Sequence, residues 1–212
     1  MSRIVKKPEE RRREILNAAR EMFRTLDYDH STMNHLMDKL GVAKGTIYHY
    51  FRSKEDLLEA VVADMIEHDL AHKQALMEKR EFKVMNAIDQ FRTLLAANTL
   101  AQDNDGVLDA LHRPGNTVLH AQQLGQYLNR LCPLFAQVIQ KGVADGDFTC
   151  PCPLEAAELL LGGIQFLTDV GFFPWNEKDI ARRQAAIPVL VESQLGAPKG
   201  SFSFLTPGAD TP

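Results

Sequence analysis

T-M-N-H-L-M-D-K-L-G-V-A-K-G-T-I-Y-H-Y-F-R-S-K, residues 32–54, is the stretch whose reading decides the fold. It reads as two short helices joined by a tight turn. Ser31 or Thr32 caps the first, because a hydroxyl there accepts from the free N–H groups of the opening turn. Leu36, Met37 and Leu40 face inward over a helix of about 33–39. Gly41 falls where the chain must turn sharply, and glycine alone takes the left-handed conformation cheaply. The second helix covers about 43–51. Val42, Ile47 and Phe51 make its core side, which leaves Lys44, Gly45, Thr46, Tyr48 and His49 for another partner. Small, basic, hydroxyl and aromatic side chains on an unburied helix face are what a helix-turn-helix offers to the major groove of DNA.

Working outward, the N-terminal side supplies the packing partner. Pro8, Glu9, Glu10 and Glu14 mark a helix start, and Ile15, Leu16, Ala19, Met22, Phe23 and Leu26 form one stripe of a 3.6-residue period. Residues 1–8, polar and basic and ending in Pro8, read as a mobile arm. On the other side, Ser53 with Asp56 three residues on is a cap signature. It opens a long helix to about Lys79, carried by Leu57, Leu58, Val61, Val62, Met65, Ile66 and Leu70. A helix shared by the reader and the body is a natural mechanical link.

The remainder reads as helices throughout. They are expected at about 82–100, 107–112, 116–144, 153–171 and 177–194, with Pro133 implying a kink or break in the third. The segment 153–171 is apolar almost all round after Glu158, which means burial on more than one side. Its Gly162-Gly163 pair lets another backbone approach. Leu160, Gly163, Ile164 and Leu167 are therefore expected to meet a second copy of the chain. Residues 196–212 are rich in Gly, Pro and Ser and read as a flexible tail. The expected architecture is all-α, about nine helices: a reader over 1–53, a body over 54–195 and the tail.

Composition bounds the function. The chain is 45% hydrophobic with a net charge of −4, but the charge is unevenly placed. Residues 1–54 carry twelve Lys/Arg against seven Asp/Glu, and residues 55–212 carry twelve against twenty-one. A basic reader on an acidic body brings only one end to a polyanion. No apolar run is long enough to span a membrane and no secretory signal stands at the N-terminus, so a cytoplasmic protein is expected. Three cysteines, an odd and low count, fit a reducing compartment.

Residues 11–58 resemble the DNA-binding region of the TetR/AcrR family of bacterial transcriptional regulators. The resemblance is carried by I-L-N-A-A-R-E-M-F at 15–23, S-T-M at 31–33, G-V-A-K-G-T-I-Y-H-Y-F at 41–51 and S-K-E-D-L-L at 53–58. One departure is Asp27, where the family usually has glycine before the aromatic. The resemblance implies a reading tip of Lys44, Gly45 and Thr46, phosphate anchors at Thr32, Tyr48 and Lys54, and His49 on phosphate or a base edge. It also implies a homodimer on a palindromic operator, released by a small molecule that enters the body.

Candidates for lining that ligand site are Phe91, Leu95, His112, Asn116, His120, Tyr127, Phe166, Leu167 and Phe173, aromatics with a few polar groups that suit an apolar or amphipathic molecule. Neither metal nor cofactor is expected. A metal- or redox-responsive regulator on the same fold is the alternative, resting on His68 and His72 at i, i+4 and on Cys132, Cys150 and Cys152. An enzyme in the helical body is the remote alternative, and no motif supports it: there is no phosphate-binding glycine loop, nucleophile elbow or H-E-x-x-H.

Overall fold

The computed structural model describes residues 7–100, 104–206 and 208, and every described element is helical. The elements are α1 (Pro8–Leu26), α2 (Met33–Leu40), α3 (Lys44–Tyr50), α4 (Lys54–Glu78), α5 (Arg80–Lys83), α6 (Ala87–Ala96), α7 (Asp105–Leu111), α8 (Thr117–Asp145), α9 (Pro153–Thr168) and α10 (Glu177–Leu195). Single 3₁₀ turns stand at Pro114–Asn116 and Ser203–Leu205. The described residues form two compact units, one falling within 1–68 and 99–123, the other within 69–98 and 124–212. Of the arm expected at 1–8, residues 1–6 lie outside the described residues, while Lys7 caps α1 and Pro8 is its first residue.

In the first unit, Ile15, Leu16, Ala19, Met22 and Phe23 of the α1 stripe are at most 2% exposed, while Leu26, expected in the same stripe, ends the helix 42% exposed. Leu36, Ile47, Phe51, Leu57, Leu58 and Val61 close the same core. Gly41 ends α2 at φ +61°, and its N–H returns to the α2 carbonyls. Asp56 N–H donates to Ser53 Oγ (3.1 Å) while the Asp56 carboxylate accepts from Arg52 N–H (2.8 Å), so the start of α4 is capped reciprocally.

In the second unit, Phe91 of α6, Phe135 of α8, Phe148 and Phe202 form the aromatic core. Phe91 sits edge-on to Phe135 (4.8 Å between centroids) and to Phe202 (5.2 Å). Edge-to-face pairs of this kind place a ring's positive edge on its neighbour's negative face.

Three expectations need correction here. The tail is folded through its first part: Phe202 is fully buried, and its N–H donates to the Glu192 carboxylate (3.0 Å). One large aromatic burying itself outweighs the Gly/Pro composition around it. The helix expected at 82–100 is two, because Asn86 caps a fresh start by accepting from Asp89 N–H (2.8 Å). Finally, α8 runs on through Pro133 rather than breaking there.

Candidate nucleic-acid interface

The reading tip is built by burial on one side and exposure on the other. Ile47 is fully buried and pins α3 to the core. Lys44, Gly45, Tyr48 and His49 are exposed and Thr46 is half-buried. The Lys44 ammonium lies 5.4 Å from the Tyr48 ring centroid, a cation–π contact on the exposed edge of α3. A Cβ at Gly45 would meet nothing within 4 Å of this chain. The fold itself therefore does not require glycine there.

Thr32 is the N-cap of α2, its Oγ1 accepting from His35 N–H (3.2 Å). It is exposed. Lys54 is placed otherwise than a free phosphate anchor. Its Nζ donates to Tyr28 O (2.8 Å) and Ser31 O (3.2 Å) and lies 4.1 Å from the centroid of the Tyr28 ring. Two of its three donors tie α4 to the corner between α1 and α2.

Tyr28 is the residue that sequence reasoning passed over. Its ring packs on Phe23 (5.4 Å) and lies between the cations of Lys54 and Arg113. Burial, with Glu55 nearby, pushes its phenol up to about 12. The aromatic following Asp27 was the available signal.

The candidate ligand residues fall into different surroundings. In the first unit, His120 and Asn116 are buried and His112 is half-buried. The two imidazoles are 4.9 Å apart, and Asn116 Nδ2 donates to Ala110 O (2.7 Å). In the second unit, Leu95 and Tyr127 are half-buried, and Tyr127 Oη donates to Asp69 (2.7 Å). Phe91 is a core aromatic rather than a wall residue. Phe166 and Phe173 are about half exposed, stacking at the surface on Phe172 and Trp175 respectively. The segment after α9 carries more aromatics than its own unit can cover.

The α9–α10 face is the apolar counterpart of the reader. Leu160, Gly163 and Ile164 are half-buried and Leu167 is exposed. With Leu159 and Leu190 they line an open groove of about 260 Å³ between the two helices. Gly163 leaves that groove open, with nothing within 4 Å of a Cβ there. As for the metal and redox alternative, His68 and His72 are exposed on α4. Cys132 and Cys150 are buried, Cys152 is exposed, and all three are free thiols. Burial, then the Glu158 charge, pushes the Cys132 thiol up to about 11, the reverse of a reactive thiolate.

A basic, exposed α3 on a buried three-helix scaffold, followed by an all-helical body, defines a helix-turn-helix transcriptional regulator. The chain belongs to the tetR family: residues 15–61 match the family described as bacterial regulatory proteins, tetR family, and residues 83–189 match the tetracyclin repressor-like C-terminal domain. It is 29% identical to the HTH-type transcriptional repressor KstR2 of Rhodococcus jostii over 157 residues, 69% of this chain and 72% of that one. The KstR2 of Mycolicibacterium smegmatis is 26% identical over 148 residues, 66% and 69% of the two chains. Among solved structures, a TetR-family regulator from Pectobacterium atrosepticum superposes with a TM-score of 0.64. It is 20% identical, and the match covers 92% of this chain and all of that one. Regulators, not enzymes, surround this chain, and no described helix is long and apolar enough to cross a membrane.

Proposed function

We propose that this protein is a dimeric repressor. It binds a palindromic operator through α3 and is released by a small apolar or amphipathic molecule bound in the helical body. The observation that carries the reading is the exposed Lys44-Gly45-Thr46 tip with Tyr48 beside it, backed by a fully buried Ile47. Lysine donates to guanine O6 and N7, and the threonine methyl suits a thymine methyl. One such helix reads only a few base pairs, so a two-fold pair is needed to specify a site. The groove lined by Leu160, Gly163, Ile164 and Leu167 supports α9 and α10 as that pairing face. The uninterrupted α4, which begins at Lys54 beside the reader, supports mechanical linkage. A ligand releases DNA to the extent that it favours the non-binding arrangement.

The test starts by selecting the preferred duplex from a random pool with the parent protein. Lys44→Ala and Thr46→Ala each weaken binding to it by about 1–3 kcal/mol. Parent-like binding by both removes α3 from the reading role. In the same series, Leu160→Glu with Ile164→Glu converts dimer to monomer in sedimentation and abolishes operator binding. A dimer that survives both changes places the pairing face elsewhere.

A further inference from the structure

The α1–α2 corner holds the one non-glycine residue with positive φ among those described, Asp27, at φ +62° and ψ 155°. This is not the left-handed helical region that aspartate tolerates, since ψ is extended; it is backbone that glycine holds far more cheaply. Tyr28 follows directly, and its carbonyl and that of Ser31 receive Lys54. Ser31 in turn precedes Thr32, the cap of α2. Whatever sets this corner sets the anchors of the reader.

What holds the corner comes from far along the chain. Arg113, in the turn after α7, donates through Nη2 to Asp27 Oδ1 (2.7 Å) and through Nη1 to Asp29 Oδ2. Its guanidinium also lies 6.0 Å from the centroid of the Tyr28 ring. Asp27 Oδ1 additionally accepts from Asp29 N–H (3.1 Å). The segment bearing Arg113 is itself pressed onto α1: a Cβ at Gly106 of α7 would stand 2.4 Å from Phe23 O and 2.8 Å from Arg24 Cα. Backbone against backbone at Gly106 and a forked guanidinium at Arg113 together fix α7 and its turn to the end of α1. A fork that spans two carboxylates is a task for arginine rather than lysine.

We infer that Arg113 is a positioning residue for DNA binding: it clamps Asp27 and Asp29 and so holds the corner that presents Thr32 and Lys54. Aspartate occupies a glycine-like conformation at 27 because its carboxylate receives that clamp. The inference rests on the DNA-reading role of α2 and α3.

The experiment uses full-length protein and the duplex selected by the parent. It compares Asp27→Gly, Arg113→Gln and the double variant, at a temperature where circular dichroism shows all three folded. Asp27→Gly keeps or raises the denaturation midpoint, because glycine relieves the backbone, yet weakens operator binding. Arg113→Gln weakens binding by about tenfold. The double variant binds no worse than Arg113→Gln alone, since both remove one clamp. Arg113→Lys recovers only part of the loss. The salt dependence of binding is unchanged, because Arg113 touches no phosphate.

A purely structural role would lower midpoint and affinity together, and so would not give these opposite signs in Asp27→Gly. Parent-like affinity in Asp27→Gly and Arg113→Gln overturns the inference, as do losses that multiply in the double variant. So does a salt slope that falls by about one, which would make Arg113 a phosphate contact. Lys44→Ala in the same assay separates the two failures. If it weakens binding while the clamp variants do not, only the clamp is wrong. If it too is silent, the reader assignment has failed.

Discussion

Two systems in this chain pair a cation with aspartate in opposite surroundings. In one unit, Arg113 meets Asp27 and Asp29 at the surface, with side chains 31%, 52% and 64% exposed. In the other, Lys73 and Asp69 pair with side chains 3% and 0% exposed. Lys73 Nζ donates to both Asp69 oxygens (2.8 and 2.7 Å) and to Ala97 O (3.2 Å), which uses all three of its protons. Tyr127 Oη adds a further donor to Asp69. The buried system joins α4, the end of α6 and α8 by a saturated network. The exposed one joins a turn to a corner and leaves its groups in water. Burial therefore separates what each can do. A buried pair cannot lose a member without stranding a charge, so it belongs to folding. An exposed pair adds little to stability and is free to serve geometry.

The largest expected effect breaks the buried pair. Asp69→Ala or Lys73→Met, alone, destabilises the fold by about 3–5 kcal/mol in chemical denaturation, because the remaining charge is left without its partner. Replacing both, Asp69→Leu with Lys73→Met, recovers part of that loss, since no charge is stranded although Tyr127 Oη and Ala97 O lose their partners. If either single variant unfolds at the parent's midpoint, the pair is not sealed from water and the contrast with Arg113 collapses.

The same contrast explains what could be read from the sequence. The α2–α3 unit was legible because each instruction is local. Thr32 caps, Gly41 turns, Ile47 buries, and Ser53 with Asp56 caps again, all within four residues of the bonds they make. Asp69 and Lys73 are spaced as any solvated i, i+4 pair on a helix surface. Nothing in that spacing says that α6 and α8 will close over them. Phe202 is the same case: its neighbours Gly200, Ser201 and Ser203 read as tail, and its partner Phe91 lies more than a hundred positions away. Phe91 in turn was read as a pocket wall for want of that partner. The departure at Asp27 was visible, but its reason was not, because Arg113 stands 86 positions on. The exposed apolar face of α9 and α10 was legible in kind, as apolar positions beyond what one core needs, since that is a matter of composition rather than of distant pairing.

Tyr127 offers a gentler way to sharpen the comparison. Tyr127→Phe removes one of the hydrogen bonds to the buried Asp69 and leaves Lys73 in place, so it costs about 1.5 kcal/mol. Its pH dependence carries the sign. Burial, then the Asp69 charge, holds the folded phenol well above its ordinary value of 10.0. The unfolded phenol ionises near that ordinary value while the folded one does not. The stabilisation from Tyr127 is thus fully present below about pH 10 and is lost as pH rises beyond it. Denaturation midpoints of parent and Tyr127→Phe should therefore converge above that pH. A gap that stays constant to pH 11 would mean that the phenol is not tied to the carboxylate.

The smallest effect tests the exposed side. Arg113→Gln is expected to shift the denaturation midpoint only slightly at low ionic strength, and the shift should shrink further between about 0.1 M and 1 M salt, as the Debye length falls from about 10 to 3 Å. The deficit of Asp69→Ala should persist over the same range, because solvent ions do not reach a pair at 0–3% exposure. Sodium chloride titration of both variants beside the parent reads the two responses in one experiment. Equal screening of both would mean that burial is not what divides these ion pairs. A clamp that loses its small stability contribution in salt, yet still governs operator affinity relative to the parent at that same salt, would place the work of Arg113 in the position of the corner rather than in its charge.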